Sequence, residues 1–161
     1  MEPGTQQAVA GQTRLRGWPH GAFSLDLHQA PGYMFIAGEV GITPFFSMLG
    51  TMCVRDDVRP VTLLYASRDW HHVIFREQLE ELKLYMPHLR VVHIVKDPPP
   101  DWVGETGHIT ARLLNKYLPP RPHHFEYFIC GPEGLMDASE QALAELGVRE
   151  ERIHSERFQV V

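Results

Sequence analysis

Short apolar runs alternate with amphipathic segments along most of the chain. Four runs are rich in β-branched and aromatic side chains and predict buried strands. They are residues 33–37 (YMFIA), 61–66 (VTLLYA), 89–95 (LRVVHIV) and 125–130 (FEYFIC). Segments with apolar side chains at helical spacing follow these runs and predict four helices. They run from Pro44 to about residue 55, over 74–85, from a Thr110 cap to 117, and over 133–146.

The alternation of strands and helices predicts an α/β fold. A last strand is expected over residues 152–158, and a Pro/Gly turn at 18–21 is expected to lead into a short strand ending near Leu25. We expect a doubly wound parallel sheet of about five strands with helices on both faces. In such sheets ligands bind beyond the carboxyl ends of the strands, where the strand order reverses.

The turn over residues 38–44 (GEVGITP) connects the first strand to the first helix. Thr43 is predicted to be the helix N-cap, and Pro44 suits the first helical turn. Free backbone N–H groups and the helix dipole at such a turn favour an anion, and a diphosphate fits. The alternative is an ordinary turn whose glycines only allow close packing. Glu39 favours that alternative, because its carboxylate would repel a diphosphate.

Two further strand ends carry candidate residues. Ser67 and Arg68 end the second strand, where a dinucleotide fold reads the adenosine ribose. Arginine tolerates a 2′-phosphate and so favours NADPH, whereas Asp69 gives the opposite indication. Cys130 ends the fourth strand, and three interpretations of it stay open. It is a small side chain beside a ligand's reactive ring, a nucleophile for which no partner can be assigned, or an inert core residue.

Composition excludes several classes of function. The 161 residues are 43% hydrophobic, enough for the core of one domain, and the net charge of −5 argues against nucleic-acid binding. No apolar run reaches the roughly 20 residues of a membrane span, and no signal peptide is expected, so a cytoplasmic location is predicted. Two distant cysteines predict no disulfide. The ten histidines show no metal-ligand spacing, so no metal site is predicted.

Taken together, the motifs resemble the pyridine-nucleotide-binding half of the ferredoxin–NADP reductase superfamily. The matching segments are IAGEVGITP (36–44), YASR (65–68), IFRE (74–77), CGP (130–132) and IHSERF (153–158). The segment WVGETGHI (102–109) and the chain ending look most like bacterial ferric-reductase-like and NADPH-oxidase-like members. In those members the domain follows a flavin barrel and often a membrane-embedded haem domain.

The resemblance implies hydride transfer from NADPH or NADH to FAD, with the protein positioning the cofactors. It assigns Thr43, Cys130, Glu156 and Phe158 to the catalytic centre, with Cys130 by the nicotinamide and the last two at the flavin. It assigns a larger set to nucleotide binding: Gly38, Gly41, Ile42, Thr43, Pro44, Ser67, Arg68, Cys130, Gly131, Pro132 and Met136.

The sequence departs from the family in two ways. Glu39 stands where a second glycine is usual, and the Arg-x-Tyr-Ser flavin motif occurs nowhere. We therefore expect a disordered segment at 1–14, a remnant of the last barrel strand at 15–30, and an NAD(P)H-binding domain at 31–161. FAD is expected in a domain outside this chain.

Three functions follow from this reading. The first is the NAD(P)H-binding module of a flavin-dependent oxidoreductase whose parent protein can be membrane-anchored. The second is a nucleotide-binding or regulatory module without turnover, favoured by Glu39 and the missing barrel. The third is a thiol enzyme built on Cys130.

Overall fold

A six-stranded parallel sheet forms the centre of the structure, a computed structural model that describes residues 23–157. The strand order is β4-β3-β2-β1-β5-β6, and every neighbouring pair is parallel. The strands are β1 (Tyr33–Gly38), β2 (Val61–Ser67), β3 (Leu89–Val95), β4 (Glu105–Thr106), β5 (Glu126–Gly131) and β6 (Ile153–Arg157). The predicted fold is confirmed, and the two-residue β4 is the strand that the sequence pattern did not predict.

Four α-helices connect the strands. They are α1 (Ile42–Val54), α2 (Arg76–Tyr85), α3 (Ala111–Tyr117) and α4 (Glu133–Glu145). Thr110 caps α3 as predicted, its hydroxyl accepting the Leu113 N–H at 3.1 Å. Helix α2 begins two residues later than predicted, because Phe75 has a left-handed backbone (φ 60°) and precedes the helix. Among the described helices, none combines the length and apolarity that a bilayer crossing requires.

Two apolar layers pack on opposite faces of the sheet. Alternate residues of β1 supply them, since Tyr33, Phe35 and Ala37 face α1 and α2 while Met34 and Ile36 face α3 and α4. All six residues of β1 and of β5 are buried, as expected for central strands of a parallel sheet.

The chain direction across the sheet reverses beside β1. From β1 the strands β2, β3 and β4 follow on one side, and β5 and β6 lie on the other. The carboxyl ends of β1 and β5 therefore border the switch point at which such sheets bind ligands.

The segment before β1 differs from the prediction. Within the described residues, 23–25 are not in a strand; Leu25–Leu27 form a 3₁₀ turn capped by Ser24. Phe23 is buried against Phe45 and Phe128 of the core. The predicted disordered segment at 1–14 and the first part of the predicted barrel remnant lie outside the described residues.

Candidate functional site

A tight turn leads from β1 into α1 at the switch point. Residues Glu39–Gly41 form a 3₁₀ turn, and Gly41 is the N-cap of α1. The prediction that Thr43 caps the helix is wrong, because the helix begins two residues earlier and Thr43 lies in its first turn. Pro44 lies in the first turn as predicted. Gly41 has no side chain to cap the helix, although Gly41 and Ile42 are themselves buried.

Glycine backbones bring this turn against the end of β5. A Cβ on Gly41 would lie 2.1 Å from the Cys130 carbonyl oxygen and 2.8 Å from the Gly131 Cα. A Cβ on Gly131 would lie 3.0 Å from the Gly38 backbone nitrogen. Neither position can hold a side chain without moving backbone, so these two glycines are required for packing at the switch point.

Helix α4 begins at the same place. Its N-cap is Pro132, which makes no side-chain capping bond, and its first residue follows β5 after a one-residue connection. Two helix N-termini without side-chain caps, α1 and α4, therefore adjoin the ends of β1 and β5. Their dipoles favour negative charge between them.

A cleft of about 530 Å³ opens beside this point. It runs from the β1 turn past the ends of β2 and β3 to the start of α4. Five predicted or discussed residues line it: Gly38, Glu39, Ser67, Arg68 and Pro132. The other lining residues are Ala66, Lys96, Gly107, His108, Ile109, Gly134, Leu135 and Ala138.

Basic side chains line the far part of the cleft. Arg68 and Lys96 follow neighbouring strands, and the two strand ends are joined because the Lys96 N–H donates to the Ser67 carbonyl at 3.0 Å. His108 lines the same cleft. Lys96 and His108 were not predicted as site residues. The rule that strand carboxyl ends meet at one edge would have found Lys96, since it directly follows β3.

The Ser67 hydroxyl is buried without a hydrogen bond of good geometry among the described groups. It lies near enough to the Tyr65 phenol to lower that group's pKa, although burial has the larger effect and raises it. A buried hydroxyl without a partner costs free energy, and a polar ligand in the cleft would supply the missing partner.

Cys130 and Glu156 lie opposite each other in the β5–β6 register. Cys130 is fully buried, and burial raises the pKa of its thiol to about 12, with the Glu156 charge adding to the effect. The thiol is therefore protonated at neutral pH. Burial and a raised pKa both disfavour the thiol-enzyme hypothesis, because the thiolate is the nucleophilic form.

Several residues that the resemblance assigns lie outside the cleft. Ile42 and Met136 are fully buried in the core, and Leu135 lines the cleft where Met136 was expected to. Thr43 is exposed on α1, and Pro44 lines a separate cavity of about 340 Å³ against α1. Phe158 lies outside the described residues.

The fold and the cleft agree with a known family. The model for the oxidoreductase NAD-binding domain matches residues 35–141. The chain belongs to this family. The match covers the β1 turn, the β2 and β3 ends and most of α4. The prediction that the chain is an NAD-binding domain of the ferredoxin–NADP reductase superfamily is confirmed.

Relatives of the NAD-binding domain family include yeast and fungal reductases. The chain is 32% identical over 130 residues to the plasma membrane-associated coenzyme Q6 reductase of Saccharomyces cerevisiae, covering 80% of this chain and 42% of that protein. It is 30% identical over 141 residues to NADH-cytochrome b5 reductase 2 of Pyricularia oryzae, covering 86% and 43%. The chain thus spans less than half the length of these relatives.

A solved structure shares the arrangement. The flavohem-like FAD/NAD-binding domain of nitric oxide dioxygenase from Vibrio cholerae superposes with a TM-score of 0.71 and 27% identity, covering 81% of this chain and 52% of that chain. Together with the family match, this likeness identifies the chain as an oxidoreductase NAD-binding domain with a ferredoxin-reductase-like fold.

Proposed function

We propose that the chain binds NAD(P)H and presents the nicotinamide to an FAD held by a separate domain of the parent protein. NAD(P)H supplies a hydride when bound, and FAD accepts it. The observation that carries the proposal is the cleft beside the switch point, which is lined by the β1 turn and the start of α4 at one end and by basic side chains at the other.

The described residues fit a dinucleotide. Gly38 and Pro132 line the cleft beside the start of α4, where backbone N–H groups and the helix dipole favour a diphosphate. Ser67 supplies a buried hydroxyl that makes no hydrogen bond of good geometry among the described groups, which suits a ribose or phosphate oxygen. These groups bind and orient the nucleotide; they move no proton.

We propose Cys130 and Glu156 as positioning residues at the nicotinamide end. They adjoin each other across β5 and β6 at the carboxyl edge of the sheet. A neutral thiol adds no charge next to a reacting ring, because burial holds the Cys130 pKa well above neutral pH. The proposed roles of Thr43 in catalysis and of Phe158 as a flavin shield stay predictions from the family resemblance.

NADPH is the proposed substrate in preference to NADH. Arg68, Lys96 and His108 line one cleft, and a 2′-phosphate adds charge that basic side chains would bind. The Pyricularia oryzae relative is named as an NADH reductase. The assignment of NADPH therefore depends on the basic side chains of this chain alone.

Titration of the protein with both nucleotides tests the proposal. Arg68→Ala is expected to weaken NADPH binding by about tenfold to a hundredfold, the value of a charge-assisted hydrogen bond, and NADH binding by less than about threefold. Arg121→Ala, an exposed arginine before β5 at the other end of the strand, is the matched control and is expected to change neither affinity. Failure to bind either nucleotide at millimolar concentration would contradict the function.

A second candidate is a nucleotide-binding module without turnover. Glu39 favours it, since a carboxylate lines the cleft beside the proposed diphosphate position. Fusion to the flavin domain of a relative separates the two functions. Reduction of a dye by NADPH supports the oxidoreductase, and binding without reduction supports the regulatory module.

The finer assignments of the family are also proposals. They are the likeness to ferric-reductase-like and NADPH-oxidase-like members, the membrane-embedded haem domain of the parent, the cytoplasmic location and the domain boundaries at 15–30 and 31–161. The name of the yeast relative places that protein at the plasma membrane, which is compatible with an anchored parent.

A further inference from the structure

Three side chains of metal-ligand type meet at the end of the sheet opposite the cleft. They are His28, in the segment before β1, Glu126, the first residue of β5, and His154, the second residue of β6. One ligand atom from each lies within 4.8 Å of those of the other two. Because Glu126 pairs with Tyr33, the first residue of β1, the cluster lies at the amino ends of the central strands.

Packing holds these side chains in place. The imidazoles of His28 and His154 stack with centroids 3.7 Å apart, and Phe128 packs against both rings. The Tyr33 hydroxyl donates to the His28 carbonyl at 2.9 Å, which fixes the segment that carries His28. The cluster is therefore built on three separate parts of the chain, all fixed to the sheet.

The carboxylate of Glu126 is arranged as a metal ligand would be. Its Oε2 accepts from Arg152 at 2.6 Å, and its Oε1 lies 2.6 Å from His154 Nε2. One oxygen is thus oriented by a second residue, as is common for carboxylate ligands, while the other faces an imidazole. Only 7% of Glu126 is exposed, and the Arg152 guanidinium compensates its buried charge through Oε2.

We propose that His28, Glu126 and His154 bind a divalent transition metal, for which Zn²⁺ is the best match. Two imidazoles and one carboxylate are a common donor set for Zn²⁺, with a fourth position for water. Bonds of about 2.1 Å place neighbouring ligand atoms about 3.4 Å apart, so metal binding requires the two stacked imidazoles to tilt until a nitrogen of each faces the metal. Metal binding replaces the hydrogen bond between Glu126 Oε1 and His154.

Arg152 limits the affinity of this site. Its guanidinium remains on Glu126 Oε2 and repels a divalent cation through the carboxylate that they share. We therefore expect micromolar rather than nanomolar binding. The metal would join the segment before β1 to β5 and to the edge strand β6, and so stabilise the fold without touching the nucleotide cleft.

The test uses the full chain without a polyhistidine tag, stripped with EDTA and titrated with ZnCl₂ by calorimetry. One Zn²⁺ per chain is expected, with a rise in Tm of about 5 to 10 °C at a hundredfold excess over Kd. His28→Ala and His154→Ala are expected to abolish both effects, and Glu126→Gln to weaken binding at least tenfold. Variants that retain NADPH binding are folded.

The matched control is His123→Ala/His124→Ala, which removes two exposed adjacent histidines and should leave Zn²⁺ binding unchanged. Co²⁺ gives a second measurement, because visible d–d absorption of tetrahedral intensity should appear in the natural protein and vanish in His28→Ala. Absence of binding, or binding that survives His28→Ala and is lost with His123 and His124, would overturn the proposal.

Discussion

Gly41 offers the sharpest test of how the switch point is built. Its Cα faces the backbone of β5, where an added Cβ would lie 2.1 Å from the Cys130 carbonyl oxygen and 2.5 Å from the carbonyl carbon. Ordinary carbon–oxygen contacts are about 3.3 Å. Gly41→Ala therefore requires the turn and the strand to separate by about an ångström, and neither partner is a flexible side-chain end.

The expected cost is at the upper end of the range for overpacking. Insertion of a methyl group into a packed interior typically costs about 1–3 kcal/mol, and here the atoms that must move belong to two buried backbones. We expect Gly41→Ala to lower the free energy of unfolding by about 3 kcal/mol, which lowers Tm by roughly 5 to 10 °C in a domain of this size. Affinity for NADPH should fall at least tenfold, since the start of α1 moves with the turn.

Gly50→Ala is the matched control within the same helix. A Cβ at Gly50 meets nothing within 4 Å, and alanine favours a helix interior by about 0.5–1 kcal/mol. Urea unfolding should therefore show opposite signs for the two glycine-to-alanine changes, with unchanged m-values. A Gly41→Ala protein as stable as the natural one, or with its NADPH affinity intact, would refute the close-approach argument.

Three other outcomes follow from the same geometry. At pH 8, iodoacetamide should modify the partly buried Cys53 and leave Cys130 unmodified in the native protein, because burial raises the Cys130 pKa to about 12. Mass spectrometry of peptides measures the extent of modification at each cysteine. The hydrogen bond from Arg59 lowers the pKa of Asp57. The stability that this pair provides is therefore present at neutral pH and is lost as the pH falls below about 4. Urea unfolding at several pH values should show that Asp57→Asn removes this part of the pH dependence of stability. Glu39→Gly should tighten NADPH binding at low salt and much less at high salt, as measured by titration, because it removes a carboxylate that lines the cleft.

The elements that sequence predicts best are those whose ends carry local signals. Strand β3 was predicted with its observed bounds, since Pro87 precedes it and residues 97–100 follow it with three prolines. The Thr110 cap was predicted because the hydroxyl bonds a backbone N–H only three residues away. Local chemistry of this kind is visible in a single sequence.

Errors arise where distant backbone contacts decide the local conformation. Thr43 is a good N-cap residue, but α1 begins at Ile42, because the contact of Gly41 with β5 fixes the turn that precedes the helix. Phe75 adopts φ 60° while its ring stacks on Phe46 at 4.3 Å, a tertiary contact that no periodicity indicates. In both cases packing overrides propensity.

Candidate site residues divide in the same way. Residues at the carboxyl end of a strand, such as Ser67 and Arg68, were predicted because parallel strands end at one edge of the sheet. Met136 was assigned by resemblance alone; it is fully buried, and the neighbouring Leu135 lines the cleft. The cluster of His28, Glu126 and His154 spans 126 positions of sequence and could not be found by ligand spacing.

The position of Glu39 explains how the turn keeps its shape without the usual second glycine. Its backbone is left-handed (φ 52°), a conformation that favours glycine, so the structure holds a side chain there at some cost. Tyr65 supports the turn from β2: its hydroxyl donates to the Glu39 carbonyl at 3.4 Å and accepts the Ile74 N–H at 3.0 Å. Burial raises the pKa of Tyr65, so the phenol stays a neutral donor. Because Gly41 and Gly131 fix the close approach and Tyr65 holds the carbonyl, a change of side chain at position 39 is expected to alter the charge of the cleft without altering the path of the turn.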